Sequence, residues 1–376
     1  MSNNMYNIKK CVSIILACLI LILELGVIRI TDGYVIKACA AQVDSSEEMK
    51  EASTQTVSNT NKKSKKSDTV AITISAAGDC TLGVDSRFNS TFNEYYDRKG
   101  AAYFLKKVKP VFSKDDITIV NFEGTLTESS ARQVKAFTFK GPAKHVKILK
   151  KGSVEVVNLA NNHSMDFGSK GFSDTKKTLK KNKVKYCYNS TIAYKKVKGV
   201  KVAFIGFSQL SGAGESQVKA AIKQAKKNKA KIIIASFHWG IEYDYYPSGN
   251  QKSIARYAIS EGADLVLGHH PHVLQGVEKY KGRYIVYSLG NFCFGGNVNP
   301  RDKDSMIFQQ TFYVKKGKLT KKNDAKIIPC SLSGKSYTND FQPRILKGKG
   351  KKRVLNRIRS FSKGMNVIIK NSGKIK

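Results

Sequence analysis

From Thr69 onward, apolar runs of strand length alternate with lysine-rich stretches that repeat at helical spacing. The runs are "TVAITISAAGD", "ITIVNFEG", "VEVVNLANNH", "VKVAFIGFS", "KIIIASFHWG", "DLVLGHHPH" and "YIVYSLGNF". They are apolar nearly throughout, which predicts strands buried on both faces. Between them, "AAYFLKKVKPVF", "GFSDTKKTLKKN", "ESQVKAAIKQAKKNKA" and "QKSIARYAISEG" predict helices. In the third, Val218, Ala221, Ile222 and Ala225 mark one face, with lysines opposite. In the fourth, Ile254, Tyr257, Ala258 and Glu261 keep the same period, and Gly262 is a stop signal. The alternation predicts an α/β fold, with buried sheet flanked by helices. Near the end, "DSMIFQQTFYVKKGKLTK" and "DAKIIPCSL" predict an antiparallel hairpin.

The two ends carry different signals. Lys9 and Lys10 precede the uncharged run "CVSIILACLILIL", which weakens toward Ile30. This predicts a signal peptide or an N-terminal membrane anchor over 1–40, with "ACA" at 38–40 fitting small-residue cleavage. The remainder would then lie outside the cell, membrane-held or secreted if the signal is cleaved. Residues 41–68 have almost no large apolar side chains and predict a disordered tether. A folded domain is expected over 69–340, followed by a basic tail over 341–376. In the tail, Val354, Leu355, Ile358 and Phe361 fall at helical spacing. They predict a helix docked on the domain, or one that meets anionic lipid or polymer.

Charge narrows the partners. Sixty-six Lys and Arg face 28 Asp and Glu, a formal net charge of +38. Such a surface draws polyanions: nucleic acid, anionic lipid or an acidic envelope polymer. Lysine dominates, and no RNP signature, zinc-finger spacing or arginine-rich helix is present. Those features argue against nucleic acid. The seven cysteines include no CxxC pair, so free, buried thiols are expected rather than a disulfide framework.

The candidate chemistry lies where the apolar runs end. Asp79 follows "ITISAAG", Asn121 and Glu123 follow "ITIV", and Asn161, Asn162 and His163 follow "VEVVNLA". His238 follows "IIIASF", His269, His270 and His272 follow "DLVLG", and Asn291 follows "IVYSLG". Five of the six histidines stand at such ends; only His145 does not. In α/β sheets, functional groups gather at the carboxyl ends of strands. Imidazole nitrogens suit Zn, Fe, Mn or Ni, a carboxylate can bridge two cations, and an amide oxygen can complete a shell. Extended alternation across His270-Pro271-His272 would aim His270 and His272 into one cluster and turn His269 elsewhere, as a supporting or structural group. Asn162 is read as a ligand and His163 as the proton donor or transition-state stabiliser, with Asp166 orienting it or capping the loop.

Taken in order, "AAGDCTLG", "NFEGTLT", "NLANNHSMDFG", "FHWGIEY", "LGHHPHVLQGVE" and "YSLGNF" resemble the bacterial capsule synthesis family CapA, known from poly-γ-glutamate capsule assembly. That family is similar to the calcineurin-type metallophosphoesterases. The resemblance implies two β-sheets sandwiched between helices, a four-layer αββα fold. It also implies metal ligands at Asp79, Glu123, Asn162, His238, His270 and His272, with His163 beside them. Asn121, Asn161, His269 and Asn291 become substrate-binding or supporting residues. The ions expected are one or two of Mn, Fe or Zn. Two positions depart from the superfamily pattern: Thr81 stands where a histidine is usual, and Glu123 replaces a bridging aspartate. The expected partners are an acidic envelope polymer, the membrane through the N-terminal segment, and other capsule-synthesis membrane proteins. Three functions follow as expectations: metal-assisted hydrolysis or transfer on the polymer, non-catalytic polymer binding as an accessory subunit, or hydrolysis of small phosphate esters.

Overall fold

The computed structural model describes residues 68–376 and two short strands, Val27–Arg29 and Val35–Lys37, which pair antiparallel. Apart from these strands and Asp68, the predicted signal or anchor and the tether lie outside the described residues, as do Cys11, Cys18 and Cys39. Among the described residues, no helix is long and apolar enough to cross a membrane.

The apolar runs become the centres of two sheets. The first contains β1 (Thr69–Thr81), β2 (Ile117–Phe122), β3 (Val156–Asn158) and β4 (Lys185–Cys187), paired in parallel in that order. The second contains β5 (Ala193–Val197), β6 (Val200–Ser208), β7 (Ile232–His238), β8 (Leu265–His269), β9 (Val277–Tyr280) and β10 (Arg283–Val286). Its spatial order is β9-β10-β8-β7-β6-β5, with β6, β7, β8 and β10 parallel. β11 (Asn291–Phe294) returns to the first sheet beside β1. β12 (Asp304–Lys315) and β13 (Lys318–Ser331) form the expected antiparallel hairpin, with β12 pairing to β1 on the same side as β11, opposite β2. Its turn falls at Lys316-Gly317, both at positive φ, the geometry a two-residue hairpin turn requires.

Strand parity sorts the apolar side chains into three cores and so gives the αββα layering. Ile72, Ile74, Ile117 and Ile119 from the first sheet meet Val202, Phe204, Ile232, Ile234, Leu265 and Leu267 from the second. The alternate residues of the second sheet, including Ala203, Ile205, Ile233 and Phe237, pack outward on helices. The outer face of the first sheet carries α1 (Thr91–Lys99), α2 (Ala102–Leu105), α3 (Lys109–Phe112), α4 (Val146–Gly152) and α5 (Gly168–Lys181). The second carries α6 (Glu215–Lys227), whose Val218, Ala221, Ile222 and Ala225 are the buried face, and α7 (Gly249–Glu261). Gly262 ends α7 in the left-handed region.

Two elements differ from the sequence expectation. The stretch "AAYFLKKVKPVF" makes two single turns, α2 and α3, rather than one helix. Pro110 has no N–H for an interior helical bond and sits instead in the first turn of α3. The run "YIVYSLGNF" is not one strand either. It leaves the second sheet after Val286 and joins the first at Asn291, crossing the sandwich through Gly290 at φ 68°. The C-terminal tail forms α8 (Gly348–Phe361), whose Val354, Leu355 and Ile358 enter the inter-sheet core. Arg353 pairs with Asp304, and Arg357 with Asp302 and Asp304, at 2.5–2.6 Å. Cys80, Cys187, Cys293 and Cys330 are buried, free thiols.

Candidate functional site

One transverse row of residues in each sheet builds the site. In the first sheet Asn291, Asp79, Asn121 and Asn158 stand side by side on β11, β1, β2 and β3. In the second, Ser208, His238 and His269 do so on β6, β7 and β8. Parity carries most of these side chains inward. Ile117 and Ile119 face the inter-sheet core, so Asn121 and Glu123 follow; Ile232 and Ile234 do so ahead of His238. Asp79 breaks parity. Ile72, Ile74 and Ala76 line the inter-sheet core while Ala77 lines the outer one, so a regular strand would turn Asp79 outward. A register shift between Ala77 and Asp79 brings it back, as bulges do where a side chain must be re-aimed. Gly78 sits at the shift, where a Cβ would lie 1.8 Å from the Gly290 carbonyl oxygen. The Asp79 N–H donates to that same oxygen at 3.0 Å.

Asp79 and Glu123 are both fully buried, surrounded by imidazoles. Glu123 Oε1 lies 3.8 Å from His163 Nε2, 3.7 Å from His238 Nε2 and 3.9 Å from His272 Nε2. Asp79 Oδ2 is 3.3 Å from His272 Nδ1, and Asp79 Oδ1 is 3.5 Å from His269 Nδ1. Asn121 orders one side. Its carbonyl oxygen accepts from the Asn158 and Asn161 amides, so its own amide must face Asp79 at 2.9 Å and His238 Nδ1 at 3.4 Å. Asn162 Oδ1 is 2.8 Å from His238 Nε2, and Asn291 Oδ1 is 2.9 Å from His272 Nδ1. Ligand atoms of Glu123, His270 and His272 lie within 4.8 Å of one another, and so do those of Asp79, Glu123 and His238.

The histidine-rich segment reaches this cluster by a route other than the expected one. His269 does not turn elsewhere: it keeps the inward parity of Leu265 and Leu267 and lies against Asp79. His270 and His272 are not in extended alternation. Their φ angles are 96° and 58°, in the left-handed region that costs a residue with a Cβ about 1–3 kcal/mol. The strand ends at His269, and the chain must bend twice for the next two rings to come back. The His270 ring then stands 4.7 Å from that of His238 and 5.8 Å from that of His272. His145, set apart in the sequence, is buried far along the chain from these residues, with Nδ1 2.9 Å from the Leu82 carbonyl.

His163 is held by three elements. Its Nδ1 is 2.7 Å from Asp166 Oδ2, its N–H donates to Asn161 Oδ1, and its ring packs on Phe139 at 4.4 Å. Asp166 does more than orient His163: it also accepts from the Phe139 N–H at 2.6 Å and from Lys135 Nζ at 2.9 Å. Lys135 further donates to the Asn162 carbonyl at 2.8 Å. Sequence reasoning missed Lys135, which nothing local separates from the other lysines. It also missed Asn158, which the inward parity of Val156 signals.

The electrostatics divide the ionisable groups. Burial pushes the Asp79 carboxyl up, but the His269 and His272 imidazoles outweigh it and hold Asp79 well below the usual carboxylate range. Burial drives Glu123 well above that range, and the Asp79 and Asp166 charges add to it. Burial opposes a charge on His272, yet Glu123 and Asp79 push it up to about 10. Burial and the His272 charge bring His270 down to about 4, and burial also lowers His238 and His163.

The donors present fit a divalent cation. Among the described residues, both Glu123 oxygens, both His269 nitrogens and His270 Nδ1 make no hydrogen bond although buried. Unpaired buried groups of this kind are costly, and a cation satisfies several at once. The mixed imidazole, carboxylate and amide set suits Mn, Fe or Zn. Such a cation must displace the proton that His272 holds at neutral pH. Its affinity is therefore expected to climb as pH rises toward 10, where His272 loses its proton, by up to about tenfold per unit. Competition with a chelator across a pH series checks this, and a flat profile contradicts it.

Comparison with known proteins agrees with the motifs. The family described as "Bacterial capsule synthesis protein PGA_cap" matches residues 73–296, which contain every residue of the cluster. The "PGA biosynthesis protein CapA" of Bacillus subtilis (strain 168) is 36% identical over 244 residues, covering 58% of this chain and 63% of that protein. The "Capsule biosynthesis protein CapA" of Bacillus anthracis is 34% identical over 266 residues, covering 63% of each. A "Probable polyglutamine synthesis accessory protein" of Mycobacterium tuberculosis (strain ATCC 25618 / H37Rv) is 25% identical over 231 residues, covering 51% of this chain and 60% of its own. The match thus spans less than two thirds of each of these relatives. The family match spans the whole of the sandwich rim on which the buried carboxylates and histidines meet, and on that ground this chain belongs to the bacterial capsule synthesis protein family, PGA_cap.

Proposed function

We propose that this chain acts outside the cell, held to the membrane by its N-terminal segment, in the synthesis, export or anchoring of an acidic capsule polymer such as poly-γ-glutamate. The proposed chemistry is hydrolysis or transfer at the cluster described above. Asp79, Glu123, Asn162, His238, His270 and His272 would hold the cation. The observation that carries the reading is Glu123: a buried carboxylate with both oxygens unpaired, set among three imidazoles. Bound there, a divalent cation supplies a Lewis acid and a water of lowered pKa.

The chain's own groups do the rest. Asp166 takes the Nδ1 proton of His163 in a hydrogen bond, which leaves Nε2 as the basic nitrogen facing Glu123. His163, neutral at physiological pH because burial lowers it, accepts a proton there and returns it to the leaving group, with Asp166 stabilising the transient imidazolium. Asn121 keeps the Asp79 carboxylate in one orientation. The excess of lysine draws the polymer's carboxylates by a salt-sensitive attraction.

A second reading, polymer binding without catalysis, is favoured by Thr81. It lies two residues after Asp79, brings no nitrogen donor, and its buried hydroxyl is unpaired. Elemental analysis of the purified chain, with hydrolysis assays on poly-γ-glutamate and a generic phosphodiester, separates the readings. The wild type is expected to carry metal and shorten the polymer. His163→Ala is expected to keep the metal and lose about 10²–10⁴-fold in turnover. Salt-sensitive polymer binding with neither metal nor cleavage would leave the second reading standing. Turnover of the phosphodiester alone would replace both with a phosphoesterase.

A further inference from the structure

The loops that frame the site expose large hydrophobic side chains. Phe88 and Phe137 lean together with ring centroids 5.4 Å apart, tied by Arg87 donating to the Ala136 carbonyl. Val134, fully exposed, precedes the Lys135 that reaches Asp166 and Asn162. Met165, also exposed, lies between His163 and Asp166. Ile241 is 67% exposed, and the N–H of the neighbouring Tyr243 donates to the Pro271 carbonyl, between His270 and His272. Val298 follows Phe294, whose ring stands 5.2 Å from that of His272. Loops that follow strands of both sheets, at the ends that carry the site, therefore expose an apolar collar of these side chains. Solitary exposed apolar residues need no explanation, but a collection of them on one rim marks an interaction surface.

We propose that this collar docks on an anionic lipid bilayer, so that the site opens onto the membrane surface. The chain's net charge of +38 supplies the long-range attraction to anionic headgroups. That attraction is spread over the molecule and does not by itself choose a face. The collar chooses it, because apolar side chains gain only where they enter the boundary between headgroups and acyl chains. The rim's own charges nearly balance: Arg87 and Lys135 are paired with Asp85 and Asp166, and Arg132 and Arg301 stand with Glu242 and Asp244, so no strong like-charge barrier opposes contact. The length of chain before the domain permits the pose. Asp68 enters at the end of β1 away from the site, about 40 Å from the rim for a strand of that length. From Lys37, where the paired strands end, to Asp68 the chain reaches at most about 100 Å at full stretch, more than the length of β1.

The test uses the full chain reconstituted into phosphatidylcholine vesicles with and without phosphatidylglycerol, the acyl chains brominated. Val134→Trp and Ile241→Trp place reporters on the collar, and Ile368→Trp places one on the exposed C-terminal turn. The single native tryptophan, Trp239, is fully buried and contributes a constant background. All three positions are exposed, and unchanged melting confirms that the variants fold. The collar reporters are expected to lose about half or more of their emission to the bromines when phosphatidylglycerol is present, the depth of interfacial burial being about 5–10 Å. The Ile368→Trp reporter is expected to be unaffected. Collar tryptophans that stay open to aqueous iodide on anionic vesicles overturn the proposal. So does shielding by added poly-γ-glutamate instead of lipid, which would assign the collar to the polymer. Quenching reads only the rim, so a protein that cleaves nothing can still pass or fail.

Discussion

Alanine at Gly78 is expected to leave little folded protein. The added Cβ would meet the Gly290 oxygen at 1.8 Å, its carbonyl carbon at 2.8 Å and the Leu289 oxygen at 3.0 Å. All three are backbone atoms, so no side-chain rotation relieves the clash. Relief requires β11 to part from β1, which removes the bond from the Asp79 N–H to Gly290 and dissolves the row of Asn291, Asp79 and Asn121. A clash of this class costs on the order of 4–5 kcal/mol or more, against a total stability of about 5–15 kcal/mol. Soluble yield and the urea midpoint measure it. Gly249→Ala is the control, since a Cβ there meets nothing within 4 Å and alanine suits a helix start at least as well as glycine. Equal midpoints for the two variants would mean that the crossing between sheets is looser than described.

Glu123→Gln is expected to act in two opposite directions. Cation uptake should fall below detection, because Glu123 belongs to both donor groups of the cluster. The chelator-treated variant should nevertheless be more stable than the chelator-treated wild type, by about 1–3 kcal/mol at neutral pH. The sign follows from burial, which raises the folded-state pKa of Glu123 above its ordinary value. Stability from such a group is fully present below the unfolded pKa, about 4.3 for glutamate, and is lost as pH rises toward the folded value. Glutamine does not titrate, so the variant's advantage should widen with pH above about 4.3. Denaturant melts at pH 5 and pH 7.5 check this. A variant less stable than wild type after chelation would show that Glu123 is satisfied without a cation.

Much of this site was legible in the chain because its signals are local. Asn121, Glu123 and His238 end runs whose parity already points them inward. The motif spacing around Asp79, Asn162, His163, His270 and His272 carried the family resemblance, and the family match covers the same residues. The misses share a different origin. Alternation along the sequence turns His269 away and straightens His270 and His272, because it takes no account of a strand that stops at His269 and of a chain that then bends at positive φ. Lys135 was invisible because its partner Asp166 stands 31 residues away. "YIVYSLGNF" reads as one strand because nothing in its hydrophobicity marks the point where it changes sheets.

The sequence alone determined the alternation of strands and helices, the inward parity of most site residues, the basic surface and the chemical types of the donors. These depend on run length, side-chain period and composition, which neighbouring residues set among themselves. Only the tertiary structure decided which strands lie side by side, that a register shift at Gly78 re-aims Asp79, and that the chain crosses between sheets at Gly290. Those outcomes depend on pairing register and close backbone contact between segments some two hundred positions apart, which no local pattern encodes.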